Sequence, residues 1–242
     1  MEVPRILLIF LYLTTMGGGF SLETSSQPPR MFLFRPSPRL EMDLRLTTQE
    51  NGREASQRTL KLAYDQTSGG TRLLVGVVHP TALRNLKFLR YQDLDNIQLW
   101  VKTSRGVRRL SVGSRPEALF NSTFTTADFD LESGKWIFLE ELSEGRRLYS
   151  KIIQGDSFGF SRQEVILRTI DGLVLESRYY NKTGVLTREY KVKSWDPEGP
   201  DQGFPHSIEV VSLLDNRSSL LEILSMTAPE TWPANTFSPG TL

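Results

Sequence analysis

The sequence predicts an all-β protein built on one highly curved antiparallel sheet. Apolar and polar residues alternate with period two through most of the chain, whereas helical periodicity is scarce. Turn-forming residues separate the alternating runs, as they do between the strands of a meander. About ten strands with one interruption, and no internal repeat or linker, indicate a single domain.

The first half of the chain contains the clearest strand patterns. Residues 40–46 place four apolar side chains on one face and three charges on the other, as in a half-buried antiparallel strand. The runs 60–64 and 73–77 repeat this pattern on either side of a Thr-Ser-Gly-Gly turn at 67–70. Further strands are expected at 97–101 and 107–110.

The second half predicts a series of hairpins. Trp136 and Phe138 alternate after a turn, and Asp171-Gly172 is a strong hairpin signal. The expected strands are residues 164–170, 173–180, 185–192, 208–214 and 220–226. Two breaks are expected: short helical or irregular structure at 112–130, and a long polar loop at 194–207 that contains three prolines.

The first 21 residues have the features of an export signal. Arg5 gives a short charged region, residues 6–16 are apolar, and a small-residue stretch follows. The apolar run is shorter than the roughly 20 residues that span a bilayer. We therefore expect residues 1–21 to be a signal peptide and residues 22–242 to form the domain, with an uncleaved membrane tether as the alternative.

Composition restricts the function classes further. The chain has 29 basic and 28 acidic residues, which argues against bulk attraction to nucleic acid. It has no cysteine, so an exported form has no disulfides and cannot be acylated on an N-terminal cysteine. The composition thus favours a soluble protein beyond the inner membrane, with its stability coming from its core.

Catalytic motifs are scarce. The two histidines, His79 and His206, both adjoin proline in expected loops, and no zinc spacing, nucleophile elbow or phosphate loop follows the signal. Asp93, Asp95 and Asp128 could form a carboxylate site, but scattered acids on the rim of a sheet are expected to be solvated. We expect no enzyme activity, no cofactor and no metal; an exported hydrolase with a nonstandard site is the weakest alternative.

Residues 97–129 carry a family resemblance. An aromatic strand, Leu99-Trp100-Val101-Lys102, leads into Val107-Arg108-Arg109-Leu110, and an aromatic segment from Phe120 to Asp128-Phe129 follows. This order resembles the outer-membrane lipoprotein-sorting protein family, whose members have a LolA-like fold. The tyrosine–turn–glycine hairpin at 178–190 and the closing segment 237–242 are also similar to that family, so we expect the C-terminal tail to be ordered.

Three positions depart from the family pattern. Lys102 stands where proline is usual, and Thr123 stands where the family has aspartate, so no role of that carboxylate carries over. Asn121 replaces a glycine, which asparagine partly mimics because it tolerates positive φ.

The resemblance implies a half-open β-barrel, capped by short helices, whose apolar face holds acyl chains. Nine alternating residues are candidates for lining this cavity: Leu44, Leu62, Val75, Leu99, Val101, Trp136, Phe138, Leu175 and Tyr179. The alternative is that these residues fill an ordinary closed core.

Two further groups complete the predicted site. Phe120, Phe124 and Phe129 form either a movable plug over the cavity mouth or a fixed aromatic cap. Arg108 and Arg109 are candidates for contact with an anionic headgroup or partner. Because adjacent residues of a strand face opposite ways, at most one of the two faces the cavity.

The sequence therefore predicts a periplasmic carrier or chaperone that buries the acyl chains of lipids or lipoproteins for transfer towards the outer membrane. As the resemblance implies, an envelope membrane transporter is a candidate partner; we expect a monomer that binds no nucleic acid. The alternative is a ligand-free β-domain that serves as a scaffold or accessory subunit of an envelope complex.

Overall fold

A computed structural model describes residues 31, 33–93, 96–110, 118–125, 128, 135–142, 145–153 and 160–242. The predicted signal peptide, residues 1–21, lies outside this part of the chain. The described residues form thirteen antiparallel strands in a single sheet. The strands are β1 (Arg39–Glu50), β2 (Arg53–Thr67), β3 (Gly70–His79), β4 (Lys87–Asp93), β5 (Asn96–Thr103), β6 (Gly106–Leu110), β7 (Ile137–Leu142), β8 (Arg146–Ile152), β9 (Arg162–Arg168), β10 (Val174–Tyr180), β11 (Leu186–Trp195), β12 (Pro205–Ser212) and β13 (Arg217–Thr227).

Two meanders join edge to edge to make this sheet. The strand order is β6-β5-β4-β3-β2-β1-β13-β12-β11-β10-β9-β8-β7, so the first and last strands of the chain pair at the centre. Strands β6 and β7 are the two ends, and the described sheet is open rather than closed into a barrel. The predicted all-β, half-open architecture is confirmed.

Strand β1 shows why the alternating pattern predicts the sheet correctly. Leu40, Met42, Leu44 and Leu46 are at most 3 % exposed, while the charged residues between them are half-buried. The face that carries these leucines is called the inner face below, and the opposite face the outer face. Because pairs directly opposite in an antiparallel sheet share a face, the register assigns a face to each strand residue.

The inner face carries the main core. Its buried cluster draws apolar side chains from both meanders, and Leu62, Val75, Phe88, Val210 and Leu221 are among its members. A smaller cluster lies on the outer face, where Phe237 and Leu242 of the C-terminal segment pack against Ala63 and Leu89. The C-terminal segment is therefore ordered, as predicted, and it covers the outer face of β2–β5.

Helical structure is minor within the described residues. One short helix, α1 (Gly199–Gln202), and 3₁₀ turns at Thr81–Leu83, Leu119–Asn121 and Pro239–Thr241 are present. The predicted helical caps are thus single turns. No helix in the described part of the chain has both the length and the apolar character needed to cross a bilayer.

The loop predicted at residues 194–207 is shorter than expected. Strand β11 continues to Trp195 and β12 begins at Pro205, so only residues 196–204 connect them. The Asp196 carboxylate accepts hydrogen bonds from the backbone N–H groups of Glu198 and Phe204 and closes the loop. Arg168 donates to the carbonyl of Gly203 at 2.8 Å, which ties the loop to β9.

Candidate functional site

A groove on the inner face is the first candidate site. Its floor crosses the central strands β13, β1, β2 and β3, and residues 118–125, called the plug below, form its roof. The lining is entirely apolar: Leu44, Leu46, Leu60, Leu62, Val75 and Leu221 from the strands, and Leu119, Phe120 and Phe124 from the plug. The space left between floor and plug is about 20 Å³, room for about one water molecule.

Several predicted cavity residues meet at this groove. Leu44, Leu62 and Val75 form part of its floor, and Phe120 and Phe124 part of its roof. Phe129, the third predicted plug residue, lies outside the described residues. The structure therefore brings these five predicted residues together, and the roof occupies most of the space above the floor.

Three other predicted residues belong to the same inner-face core without lining the groove. Trp136 is buried there, with the Lys151 ammonium 4.6 Å from its ring centroid. Leu99 and Val101 are half-buried and pack at its margin, at the β5 end of the sheet.

The last three predicted residues lie elsewhere. Phe138 is 40 % exposed on the end strand β7, where its ring meets that of Tyr149 edge-on at 5.7 Å. Leu175 lies at a register shift in β10, and Val174 takes the neighbouring position in the inner-face cluster. Tyr179 is buried, but it belongs to a polar network beside the groove.

The plug is a tight turn with an unusual backbone. Leu119 donates its N–H to the carbonyl of Phe124 at 2.7 Å, and Ala118 pairs with Thr125. Phe120 and Asn121 both have left-handed conformations, with φ of 55° and 54°. Asn121 thus adopts the positive φ expected of a residue that replaces glycine, while a left-handed Phe120 costs about 1–2 kcal/mol.

Thr123 anchors the plug to the sheet. Its N–H donates to Oγ of Ser219 at 3.0 Å, and its hydroxyl donates to the carbonyl of Val210 at 2.8 Å. Both partners lie on the inner face, on β13 and β12. The residue that stands in place of the family's aspartate therefore holds the plug through neutral hydrogen bonds.

A buried ion pair supports the far end of the plug. Nη1 of Arg188 donates to Oδ1 of Asp128 at 2.6 Å, and Nη2 donates to Oδ2 of the same carboxylate. Nη2 also donates to the carbonyl of Thr123 at 2.8 Å. Burial alone would lower the pKa of Arg188, but the Asp128 carboxylate outweighs it and the pKa is raised.

The expectation that Asp128 is solvated is wrong, because only 2 % of the residue is exposed. Sequence reasoning also missed Arg188. The signal that could have found it is the period-two spacing along β11. The same face of this strand carries Arg188, Tyr190 and Val192, and all three are buried. An arginine in phase with core residues indicates a buried cation that needs a carboxylate partner.

Tyrosine hydroxyls extend the polar network. Tyr179 donates to Oδ1 of Asp128 at 3.0 Å and accepts from Nε2 of Gln163 at 3.0 Å. Tyr190 is equally buried, yet its hydroxyl has no hydrogen-bond partner among the described residues. Burial and the nearby Asp128 carboxylate raise the pKa of both tyrosines.

Arg108 and Arg109 lie on opposite faces, as expected. Arg108 is directly opposite Val101 and so stands on the inner side of end strand β6. Arg109 is opposite Trp100 on the outer side, with its guanidinium 5.7 Å from the indole ring. Only Arg108 therefore shares a face with the groove.

Within the described residues, no three His, Cys, Asp or Glu side chains are grouped so that they could hold a metal ion.

Solved structures with the same architecture define the class of fold. A domain from Vibrio parahaemolyticus, described as an outer membrane lipoprotein-sorting protein, matches with a TM-score of 0.70 at 17% identity, over 84% of this chain and 90% of that one. A DUF1329 family protein from Desulfovibrio piger matches with a TM-score of 0.71 at 15% identity, over 86% of this chain and 92% of that one. A LolA superfamily protein from Nitrosomonas europaea matches with a TM-score of 0.62 at 14% identity, over 87% and 94% of the two chains.

The chain therefore has a LolA-like fold, as the sequence resemblance implied. It belongs to the family whose model, described as "-like: Uncharacterized protein", matches residues 69–242. No curated protein matches the sequence.

Proposed function

We propose that this protein is an exported carrier that buries an acyl chain of a lipid or lipoprotein in its inner-face groove, for transfer towards the outer membrane. The observation that carries the proposal is the plug itself. Leu119, Phe120 and Phe124 lie on an entirely apolar floor that spans four central strands. The plug occupies the place that an acyl chain would take, and hydrogen bonds at Thr123 hold it there.

The energetics favour such an exchange. An acyl chain of about 15 carbons gains on the order of 12 kcal/mol when it leaves water, at about 0.8 kcal/mol per methylene. Withdrawing three apolar plug side chains costs roughly 1.5–3 kcal/mol each. Release also relieves the left-handed conformation of Phe120. Release of the plug also breaks the hydrogen bonds that anchor Thr123, each worth about 0.5–1.5 kcal/mol. The gain and the cost are therefore of similar size, so that an acyl chain can exchange with the plug.

The buried ion pair limits how far the plug moves. Breaking a buried pair by removing one partner costs about 3–5 kcal/mol, because the other charge remains unpaired. We therefore propose that Asp128 stays on Arg188 while residues 119–124 swing away. We propose a hinge between Phe124 and Thr125, because Asp128 also accepts the N–H of Thr125 at 2.7 Å. Opening would then break the hydrogen bonds from Arg188 to the Thr123 carbonyl but leave the Asp128–Arg188 pair intact.

The remaining parts of the proposal concern the path of the protein and its cargo. We propose that residues 1–21 direct export to the periplasm and that residues 22–242 act there as a monomeric carrier. A donor transporter and an outer-membrane acceptor are the partner class, and Arg108 on the inner side of β6 is the candidate for headgroup contact. No covalent step is part of the mechanism.

A disulfide lock tests the proposal. Because the chain has no cysteine, the pair Thr123→Cys and Ser219→Cys introduces the only two thiols. The Thr123 N–H donates to Ser219 Oγ at 3.0 Å, so the two residues are in direct contact, as a disulfide with a Cβ separation of about 4 Å requires. The oxidised protein should bind a fluorescent fatty acid at least about tenfold more weakly than the reduced protein, a difference of about 1.4 kcal/mol.

The single-cysteine variants are the controls and should bind in both redox states. Equal binding by the oxidised and reduced double variant would show that the groove beneath the plug is not the site. Absence of binding in every form, wild type included, would favour a different function.

The alternative function is that of a scaffold in an envelope complex, in which the protein's own side chains fill the groove and no ligand binds there. One observation favours it: the plug leaves only about 20 Å³ of space over the groove floor. A scaffold needs the plug to stay in place. Locking the plug would then leave partner binding unchanged, whereas a carrier would lose its cargo.

A further inference from the structure

A second cavity lies on the outer face, between one end of the sheet and the C-terminal segment. Its volume is about 460 Å³, within the range of small-molecule sites. The sheet contributes Arg39, Asp65, Thr67, Arg72 and Tyr91, and residues 231–239 form the opposite wall. The sheet itself separates this cavity from the inner groove.

Four of the sheet residues form one continuous row across β1–β4. Arg39 is directly opposite Asp65, Asp65 is opposite Arg72, and Arg72 is opposite Tyr91. Directly opposite residues share a face and lie within side-chain contact. The row therefore presents two guanidiniums, one carboxylate and one phenol side by side to the cavity.

The charges of this row do not cancel. Nε of Arg39 donates to Oδ1 of Asp65 at 3.3 Å, and Nε of Arg72 lies 3.8 Å from Oδ2. One carboxylate thus faces two guanidiniums, which leaves one net positive charge among the described lining residues. The Arg39 and Arg72 side chains are 39 % and 42 % exposed, so their N–H groups can reach a ligand. Guanidinium groups with this access favour a carboxylate or similar anion.

Aromatic side chains form the apolar part of the cavity. The rings of Trp232 and Phe237 meet edge-on at 5.4 Å, and the Arg72 guanidinium lies 5.9 Å from the Phe237 ring. Nε1 of Trp232 is buried and has no acceptor among the described residues. Burial raises the pKa of Tyr91 despite the opposing effect of Arg72, so the phenol remains a donor at neutral pH.

We propose that this cavity binds a small anion that carries an aromatic ring, of the aryl carboxylate class. The ring would pack against Trp232, Phe237 and Tyr91, and the carboxylate would accept hydrogen bonds from Arg72. The Tyr91 phenol lines the same cavity and would be a second donor to the carboxylate. This site is independent of the acyl-chain function.

Isothermal titration calorimetry with three probes of the same ring tests the proposal. Indole-3-acetate is anionic, indole-3-acetamide neutral and tryptamine cationic. The anion should bind most tightly and the cation most weakly. Arg72→Gln should weaken the anion about tenfold, since it removes a charge-assisted hydrogen bond, and should leave the amide almost unchanged. Arg105→Gln, an equal loss of charge in the exposed β5–β6 turn, is the matched control.

A second variant keeps the test decisive if Arg72→Gln folds poorly. Tyr91→Phe retains an aromatic ring and removes only the phenol donor that lines the cavity, and it should weaken indole-3-acetate about fivefold. Saturating palmitate should leave all these affinities unchanged, because the sheet lies between the two sites. Four results would each overturn the proposal. The three probes could bind equally, or none could bind at millimolar concentration. Arg72→Gln and Arg105→Gln could have equal effects, or palmitate could compete with the probes.

Discussion

Arg188 on β11 holds the carboxylate of Asp128 with both terminal guanidinium nitrogens, across 60 residues of chain. The pair is buried on the inner face, beside an apolar groove. A charged pair in that place gains little stability over apolar residues of similar volume, but loss of one partner is costly. Its value to the protein is therefore positional: it fixes the point from which the plug extends over the groove.

Replacing Asp128 by asparagine should lower the free energy of unfolding by about 3–5 kcal/mol, because it leaves the Arg188 charge buried and unpaired. Urea denaturation followed by circular dichroism measures the loss. Glu141→Gln is the matched control: it breaks the exposed pair with Arg147 and should cost less than about 1 kcal/mol. Similar losses of unfolding free energy for the two variants would show that the buried Asp128–Arg188 pair matters no more to stability than an exposed ion pair.

Tyr190→Phe should stabilise the protein by about 1 kcal/mol, because the Tyr190 hydroxyl is buried without a partner. Tyr179→Phe removes a hydroxyl that donates to Asp128 and accepts from Gln163, and it should destabilise by about 1–2 kcal/mol. The same urea titration compares them. If both changes destabilise equally, then Tyr190 has a partner that the structure does not show.

The two buried tyrosines also predict alkaline sensitivity. Their folded-state pKa values are raised, chiefly by burial, above the value of about 10 for an unfolded tyrosine. The native state therefore keeps protons that the unfolded state releases. This contribution to stability is complete below pH of about 10 and is lost as pH rises above it.

Urea midpoints measured between pH 8 and pH 11 check this prediction. Wild type should lose stability above pH of about 10, and Tyr190→Phe should lose it less steeply, by up to about 1.4 kcal/mol per pH unit. Identical slopes for the two proteins would show that Tyr190 titrates normally.

Val101→Glu should abolish fatty acid binding while the β-sheet circular dichroism spectrum persists. Val101 does not line the groove, but it is half-buried at the margin of the inner-face core, where a proposed acyl chain that extends beyond the groove would pass, so a carboxylate there can reach water and would oppose the cargo. Leu99→Glu should act in the same way. Val107→Glu is the control, since Val107 is exposed and lies opposite Lys102 on the outer side of β6. Binding that survives Val101→Glu and Leu99→Glu would place the acyl chain elsewhere.

The sequence predicted those strands that have one buried face and one solvent-exposed face. Strand β1 is the clearest case, since its leucines and charges alternate without a break. Strand β4 was not predicted, because Phe88 packs on the inner face and Leu89 under the C-terminal segment. A strand that is buried on both faces lacks the alternation of apolar and polar residues on which the prediction depended.

The candidate site was predicted in the same uneven way. The alternating pattern assigned Leu44, Leu62 and Val75 to one face of the sheet, and the structure brings them together on the groove floor. Phe138 has the right parity, because it pairs with Tyr149, but it lies on the last strand of the described sheet and stays exposed. The Asp128–Arg188 pair has no local signal, since its partners meet only through the folded topology.

Native mass spectrometry of the mature protein, purified with its own envelope lipids and then offered a lysophospholipid, distinguishes an acyl-chain carrier from a filled scaffold. A carrier should form a complex with one acyl-bearing molecule per chain, which disappears in the oxidised Thr123→Cys, Ser219→Cys variant and returns on reduction. A bare protein mass that persists in the presence of added lysophospholipid would contradict the carrier function and leave the filled scaffold in its place.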